Sequence, residues 1–195
     1  RVWVPGCATG EEPYSIAMLL LEELGAARKS CPIQVFASDI DPEAVRFARE
    51  GLYPESIAAD VSEERLKYFF AKTDRSYQVS KQLREAVIFS VQNLITEPPF
   101  SRLDLVSCRN VLIYLEPEIQ RRIITLFSFA LRPGGYLFLG KSDGGGASVA
   151  DAVRARAGAG HDRHTRSEPR GRCGRHQGLP GWFASFWPTG GKLSS

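Results

Sequence analysis

Apolar residues fall in short bursts separated by turn chemistry, and the bursts alternate in period along the chain. The run "VWV" at 2–4 reads as a buried first strand and "PGCATG" as the turn after it. Tyr14 to Leu24 is then apolar on nearly every side, which predicts an interior helix, with Pro13 in its first turn and Gly25 as its stop. Ile33 to Ser38 is a second short apolar strand ending in "DID", and Asp41-Pro42 opens a helix that runs to about Glu50, with Gly51 ending it. Ser62 caps a helix leading into "LKYFF", while "SYQVS" and "AVIFSVQNL" alternate as strands. Leu103 to Asn110 is a strand with a polar end; a helix over about Pro117 to Leu131, a "RPGG" turn and a last strand "YLFLG" follow. Strands alternating with helices at this spacing predict an α/β fold with a doubly wound, mostly parallel sheet.

Composition changes the picture once the chain is divided at Asp143. Residues 144–195 carry eight Lys+Arg against three Asp+Glu and hold most of the glycines, with no sustained apolar period. That composition predicts a disordered, solvated Gly/Arg-rich tail, 144–195, behind a single domain over 1–143. The domain itself is slightly acidic, so neither nucleic acid nor insertion into a membrane is expected of it. The longest apolar run, Ile16 to Leu21, is far short of the roughly 20 residues that cross a bilayer. Four widely spaced cysteines without a C-x-x-C pair argue against a zinc site and fit reduced thiols in a cytoplasm. All three histidines, His161, His164 and His176, lie in the tail, so the domain's chemistry is expected to need no imidazole base.

In a parallel sheet of this kind the ligand lies at the carboxyl ends of the strands, where strand order reverses. The polar residues that close successive strands are therefore the candidates: Glu11, Asp39, Asn93, and Arg109 with Asn110. Gly6 and Gly10 frame the first turn as G-x-x-x-G, with Ala8 where a dinucleotide fingerprint wants glycine. A carboxylate at Glu11 would repel a pyrophosphate, so a neutral or cationic ligand group is expected there. Of the two carboxylates in "SDID", Asp39 is assigned to the ligand and Asp41 to capping the helix. Replacing Asp39 is accordingly expected to weaken binding with little effect on stability, and replacing Asp41 to do the reverse.

"GCATG" at the first turn, an acid closing the second strand and "LRPGG" before a late strand resemble class I S-adenosylmethionine-dependent methyltransferases. The longer runs "GCATGEEPYSIAM", "FASDIDPEAV", "FSVQNL", "CRNVLIYL" and "LRPGGYLFLGKSD" resemble the CheR-type methyltransferases of bacterial chemotaxis, which methylate glutamates on receptor signalling helices. The resemblance covers about Val2 to Asp143. It implies S-adenosyl-L-methionine as cofactor, contacts from Gly6, Gly10, Glu11 and Asp39, Asn93 and Leu94 at the adenine, Arg109 and Asn110 lining the pocket, and Tyr114 near the transferred methyl. It also implies a small β-subdomain at about 72–92, where some members grip a receptor's C-terminal peptide with a glycine-bearing loop. "AKTDRSYQVSKQL" has no glycine, so independence of that tether is expected. In the family a helical region bearing an orienting arginine precedes the first strand, and this chain begins within that strand, which reads as an N-terminally truncated catalytic domain. Two rivals stand beside the methyltransferase: a non-catalytic module that only binds the cofactor, and a nicotinamide oxidoreductase, disfavoured by Ala8 and Glu11.

Overall fold

The computed structural model describes residues 1–140, so the expected tail at 144–195, with its three histidines, lies outside the described residues. Five strands form one sheet in the order β6-β2-β1-β7-β8: β1 Val2–Pro5, β2 Val35–Asp39, β6 Val87–Val91, β7 Leu103–Cys108 and β8 Leu131–Leu139. Every pairing in it is parallel. Register sets the two faces. Trp3, Phe36 and Ile88 share one face, and Val4, Ala37 and Phe89 the other. Helix α5 (Pro117–Ala130) covers the first face through Phe127, whose ring meets Trp3 edge-on at 5.5 Å, and Trp3 is completely buried. Helix α1 (Glu11–Ala26) covers the second, where the ring of Tyr14 meets Phe89 at 5.4 Å. Helices on both faces of a parallel sheet make this the doubly wound α/β fold read from the periodicity.

The local signals of α2 (Pro42–Glu50) act as their chemistry predicts. Asp41 Oδ1 accepts from the Glu43 N–H at 2.9 Å, Pro42 opens the helix, and Gly51 closes it at φ +61. Helix α3 (Glu63–Phe69) likewise starts on Ser62, whose side chain accepts from the Arg65 N–H. Gly25, by contrast, does not end α1. The helix continues to Ala26, and the left-handed terminal residue is Arg28 at φ +49, with Arg28 N–H bonded to the Gly25 carbonyl and Lys29 N–H to the Leu24 carbonyl. This is the Schellman pairing with arginine in the glycine position.

The least periodic stretch of sequence holds the second sheet. Strands β3 (Leu52–Pro54), β4 (Phe70–Lys72) and β5 (Ser76–Val79) assemble antiparallel in the order β3-β5-β4. The small sheet thus begins earlier than the expected 72–92 and ends earlier: α4 (Lys81–Ala86), a helix the alternation did not reveal, intervenes, and Val87–Val91 joins the main sheet as its edge. "RPGG" is not a turn ahead of the last strand but a bulge inside it, since Leu131 pairs with Leu103 and Tyr136 with Leu105.

Candidate functional site

The chain runs β1, β2, β6 outward in one direction and then returns to place β7 on the other side of β1. The strand order therefore reverses between β1 and β7, and a ligand crevice is expected at their carboxyl ends. The turn after β1 is built from left-handed residues: Gly6 at φ +68, Ala8 at +45 and Gly10 at +94. Ser38 anchors its start, the carbonyl accepting from the Gly6 and Cys7 N–H groups at 2.7 and 3.1 Å while the hydroxyl accepts from Trp3 Nε1 at 2.9 Å. A Cβ on Gly6 would lie 2.3 Å from Val111 Cγ2, and one on Gly10 would lie 2.8 Å from Ala48 Cβ and 3.0 Å from the Tyr53 hydroxyl. Both glycines are demanded by the turn's own geometry and by neighbouring side chains. Val111 against Gly6 also brings the segment after β7 onto the turn after β1.

Asp39 links the ends of β2 and β1. Its Oδ2 accepts from the Ala8 N–H at 2.8 Å and its Oδ1 from the Asp41 N–H at 3.0 Å, and its carbonyl accepts from the Gln92 N–H at the end of β6. The side chain that periodicity reserved for a ligand thus also holds the protein's own turn. At the start of α1, Thr9 Oγ1 donates to the Glu11 carboxylate at 2.8 Å, and Glu12 Oε1 accepts from Ser107 Oγ, within β7, at 2.5 Å. Three carboxylates consequently surround the turn. Burial first, then Asp39, Glu11 and Glu12 by charge, push the Cys7 thiol from its ordinary 9.0 up to about 12. A negative potential at a helix N-terminus is the reverse of a phosphate cradle and suits a cationic group.

The other predicted residues fall around the same rim. Asn93, just past β6, closes a turn: its Oδ1 accepts from the Ile95 N–H at 2.9 Å, and its own N–H donates to Glu97 Oε1 at 3.0 Å. Leu94 is half-buried and packs against the cluster that includes Trp3 and Phe36. Arg109 and Asn110 follow β7, the arginine half-buried and Asn110 exposed at φ +56. Tyr114 ends the 3-10 turn Leu112–Tyr114 and is 81% exposed. Two contributors to the site carried no sequence signal. Ser107 is a small polar residue inside an apolar strand, and Tyr53 lies in the aperiodic stretch after α2; both are recognisable only by what they touch across the fold.

Residues 1–151 match the family described as "CheR methyltransferase, SAM binding domain". The chain is 43% identical over 143 residues to an "uncharacterized 104.1 kDa protein in hypE 3'region" of Rhodobacter capsulatus, covering 73% of this chain and 15% of that one. It is 36% identical over 146 residues to the "chemotaxis protein methyltransferase" of Borreliella burgdorferi, and 37% identical over 152 residues to that of Escherichia coli. Each of these two alignments covers 73% of this chain, and the chain spans about half of each relative, 52% and 51% respectively. A parallel sheet with an acid-rimmed glycine turn at its switch point, matched over most of the chain, places this protein in the CheR methyltransferase family, through its S-adenosylmethionine-binding domain.

Proposed function

We propose that the chain is the catalytic domain of a protein-glutamate O-methyltransferase that works in the cytoplasm on the signalling helices of chemoreceptors. The observation that carries this reading is the family match over residues 1–151, laid on a turn whose charge suits the cofactor. S-adenosylmethionine brings a methyl group on a sulfonium, together with an ammonium, and both cations are favoured beside Glu11, Glu12 and Asp39. The carboxylate set that fits this group would repel the pyrophosphate of a nicotinamide dinucleotide.

In this reading the turn from Gly6 to Gly10 receives the methionine portion, Glu11 faces it, and Asp39 takes the ribose hydroxyls. Each Asp39 oxygen accepts one backbone N–H in the structure and has a second lone pair to offer. Asn93 and Leu94 flank the adenine, while Arg109 and Asn110 line the pocket. Tyr114 stands near the transferred methyl, where its exposure leaves it open to a protein substrate. The substrate glutamate has an ordinary pKa of about 4.3 and is already the nucleophile at neutral pH, so the site's task is orientation rather than proton removal. Arg109, half-buried after β7, adds a cation to the lining of the slot that receives it. The turn between β4 and β5 is closed by the Thr73 N–H on the Ser76 carbonyl and contains no glycine, which supports action without a receptor tether.

The test is transfer of labelled methyl from S-adenosylmethionine to a chemoreceptor cytoplasmic fragment. A γ-glutamyl ester is cleaved by mild base, so the label is expected to leave as methanol. Base-stable label would place the methyl on nitrogen or carbon and sink the glutamate assignment.

A further inference from the structure

One side chain ties the small antiparallel sheet to the glycine turn. Tyr53, the middle residue of β3, is buried, and its hydroxyl donates to the Thr9 carbonyl at 2.7 Å. Its ring packs edge-on against Phe47 at 5.7 Å and Tyr14 at 6.3 Å, so its placement is fixed from two helices. The same hydroxyl occupies the space a side chain at Gly10 would need. Thr9, in turn, donates through Oγ1 to both oxygens of Glu11 at 2.8 Å. A continuous chain therefore runs from β3 through the Thr9 carbonyl and hydroxyl to the carboxylate at the mouth of the turn. Burial raises the Tyr53 phenol, and the charge of Glu11 raises it further, so it stays a donor at any working pH.

We infer that Tyr53 is a positioning residue that sets the Thr9–Glu11 arm of the cofactor turn, coupling the small sheet to recognition of the cofactor's amino-acid end. This rests on the proposed reading of the site as one for S-adenosylmethionine. Tyr53 meets the turn at Thr9 and Gly10; the β6 end, where Asn93 and Leu94 lie, is held by separate bonds to Asp39 and Glu97. Loss of the hydroxyl should therefore be felt by one end of the ligand and not the other.

The experiment is calorimetric titration of the 195-residue chain and its Tyr53→Phe variant with S-adenosylmethionine and with 5′-methylthioadenosine, which has the same adenosine but no amino-acid end. One net hydrogen bond predicts a loss of about two- to tenfold for S-adenosylmethionine, with methylthioadenosine unchanged. Thr9→Val, which removes the next hydroxyl in the chain, should show the same selectivity, and the double variant should bind about as well as the weaker single one because both act on Glu11. Equal losses for the two ligands would mark Tyr53 as a general packing residue and overturn the inference, as would unaltered S-adenosylmethionine affinity in Tyr53→Phe. If the parent chain binds neither ligand, it is the functional reading itself that fails.

Discussion

Asp39 and Asp41 sit two residues apart, and replacing each with alanine should separate their tasks. Asp41→Ala removes one capping bond, from the Glu43 N–H, and is expected to cost about 1 kcal/mol. Asp39→Ala removes two, from the Ala8 and Asp41 N–H groups. Each bond contributes roughly 1 kcal/mol, and the half-exposure of Asp39 argues against adding a premium for its charge, so the loss is about 2 kcal/mol. Ala8 makes the effect specific to the turn: its left-handed backbone at φ +45 is disfavoured for a residue with a Cβ and depends on anchorage of this kind. The expectation that Asp39 serves a ligand with little bearing on stability is revised accordingly. Its replacement should lower both cofactor affinity and folding stability, whereas Asp41→Ala should lower stability alone and by less. Asp39→Asn keeps one acceptor oxygen and should recover roughly half of the loss. Urea unfolding gives the stabilities and calorimetric titration the affinities. If Asp39→Ala proves no more destabilising than Asp41→Ala, the Asp39 carboxylate does not hold the turn.

Other consequences are equally open to measurement. Gly6→Ala forces a left-handed alanine and sets its Cβ 2.3 Å from Val111, for an expected loss of about 3 kcal/mol; adding Val111→Ala should return the overlap portion but not the backbone cost, which urea unfolding of both variants would reveal. Arg28→Gly places glycine in the left-handed end of α1 and should stabilise by about 0.5–1 kcal/mol in thermal melts. Burial raises Cys7 from 9.0 to about 12 and Tyr14 from 10.0 to about 12, so the folded chain keeps protons that the unfolded chain gives up. Their contribution to stability is complete below pH 9 and is lost as the pH climbs from 9 towards 12, and Cys7→Ala should flatten that decline in pH-dependent denaturation. Among Cys7, Cys31 and Cys108, only Cys31 is not buried, and peptide mapping after alkylation at pH 8 should find it modified first.

Sequence alone determined those elements whose causes are local. A run of apolar residues makes β1, Asp41-Pro42 and Gly51 bracket α2, Ser62 starts α3, and the alternation of strand with helix implies a parallel sheet, because caps and side-chain periods act within a few residues of themselves. The polar residues Glu11, Asp39, Asn93 and Arg109 were legible for the same reason: each lies at the carboxyl end of an apolar strand or within the turn that follows it. Tertiary structure decided what depends on distant partners. Strands β3 and β4, three residues each, are too short to display an alternating pattern, and β5, whose "SYQV" does alternate, has no local signal for its partners, so the small sheet exists only through the pairing of 52–54, 70–72 and 76–79. Gly25 carries the composition of a helix stop, yet the terminus formed where the Arg28 and Lys29 amides found their carbonyls. The second role of Asp39, the Ser107 bond to Glu12 and the reach of Tyr53 into the turn join residues 31, 95 and 44 positions apart, and no periodicity spans such intervals. A side chain's propensity is fixed by its own covalent neighbours, whereas its hydrogen-bond partner is fixed by the packing of the whole sheet.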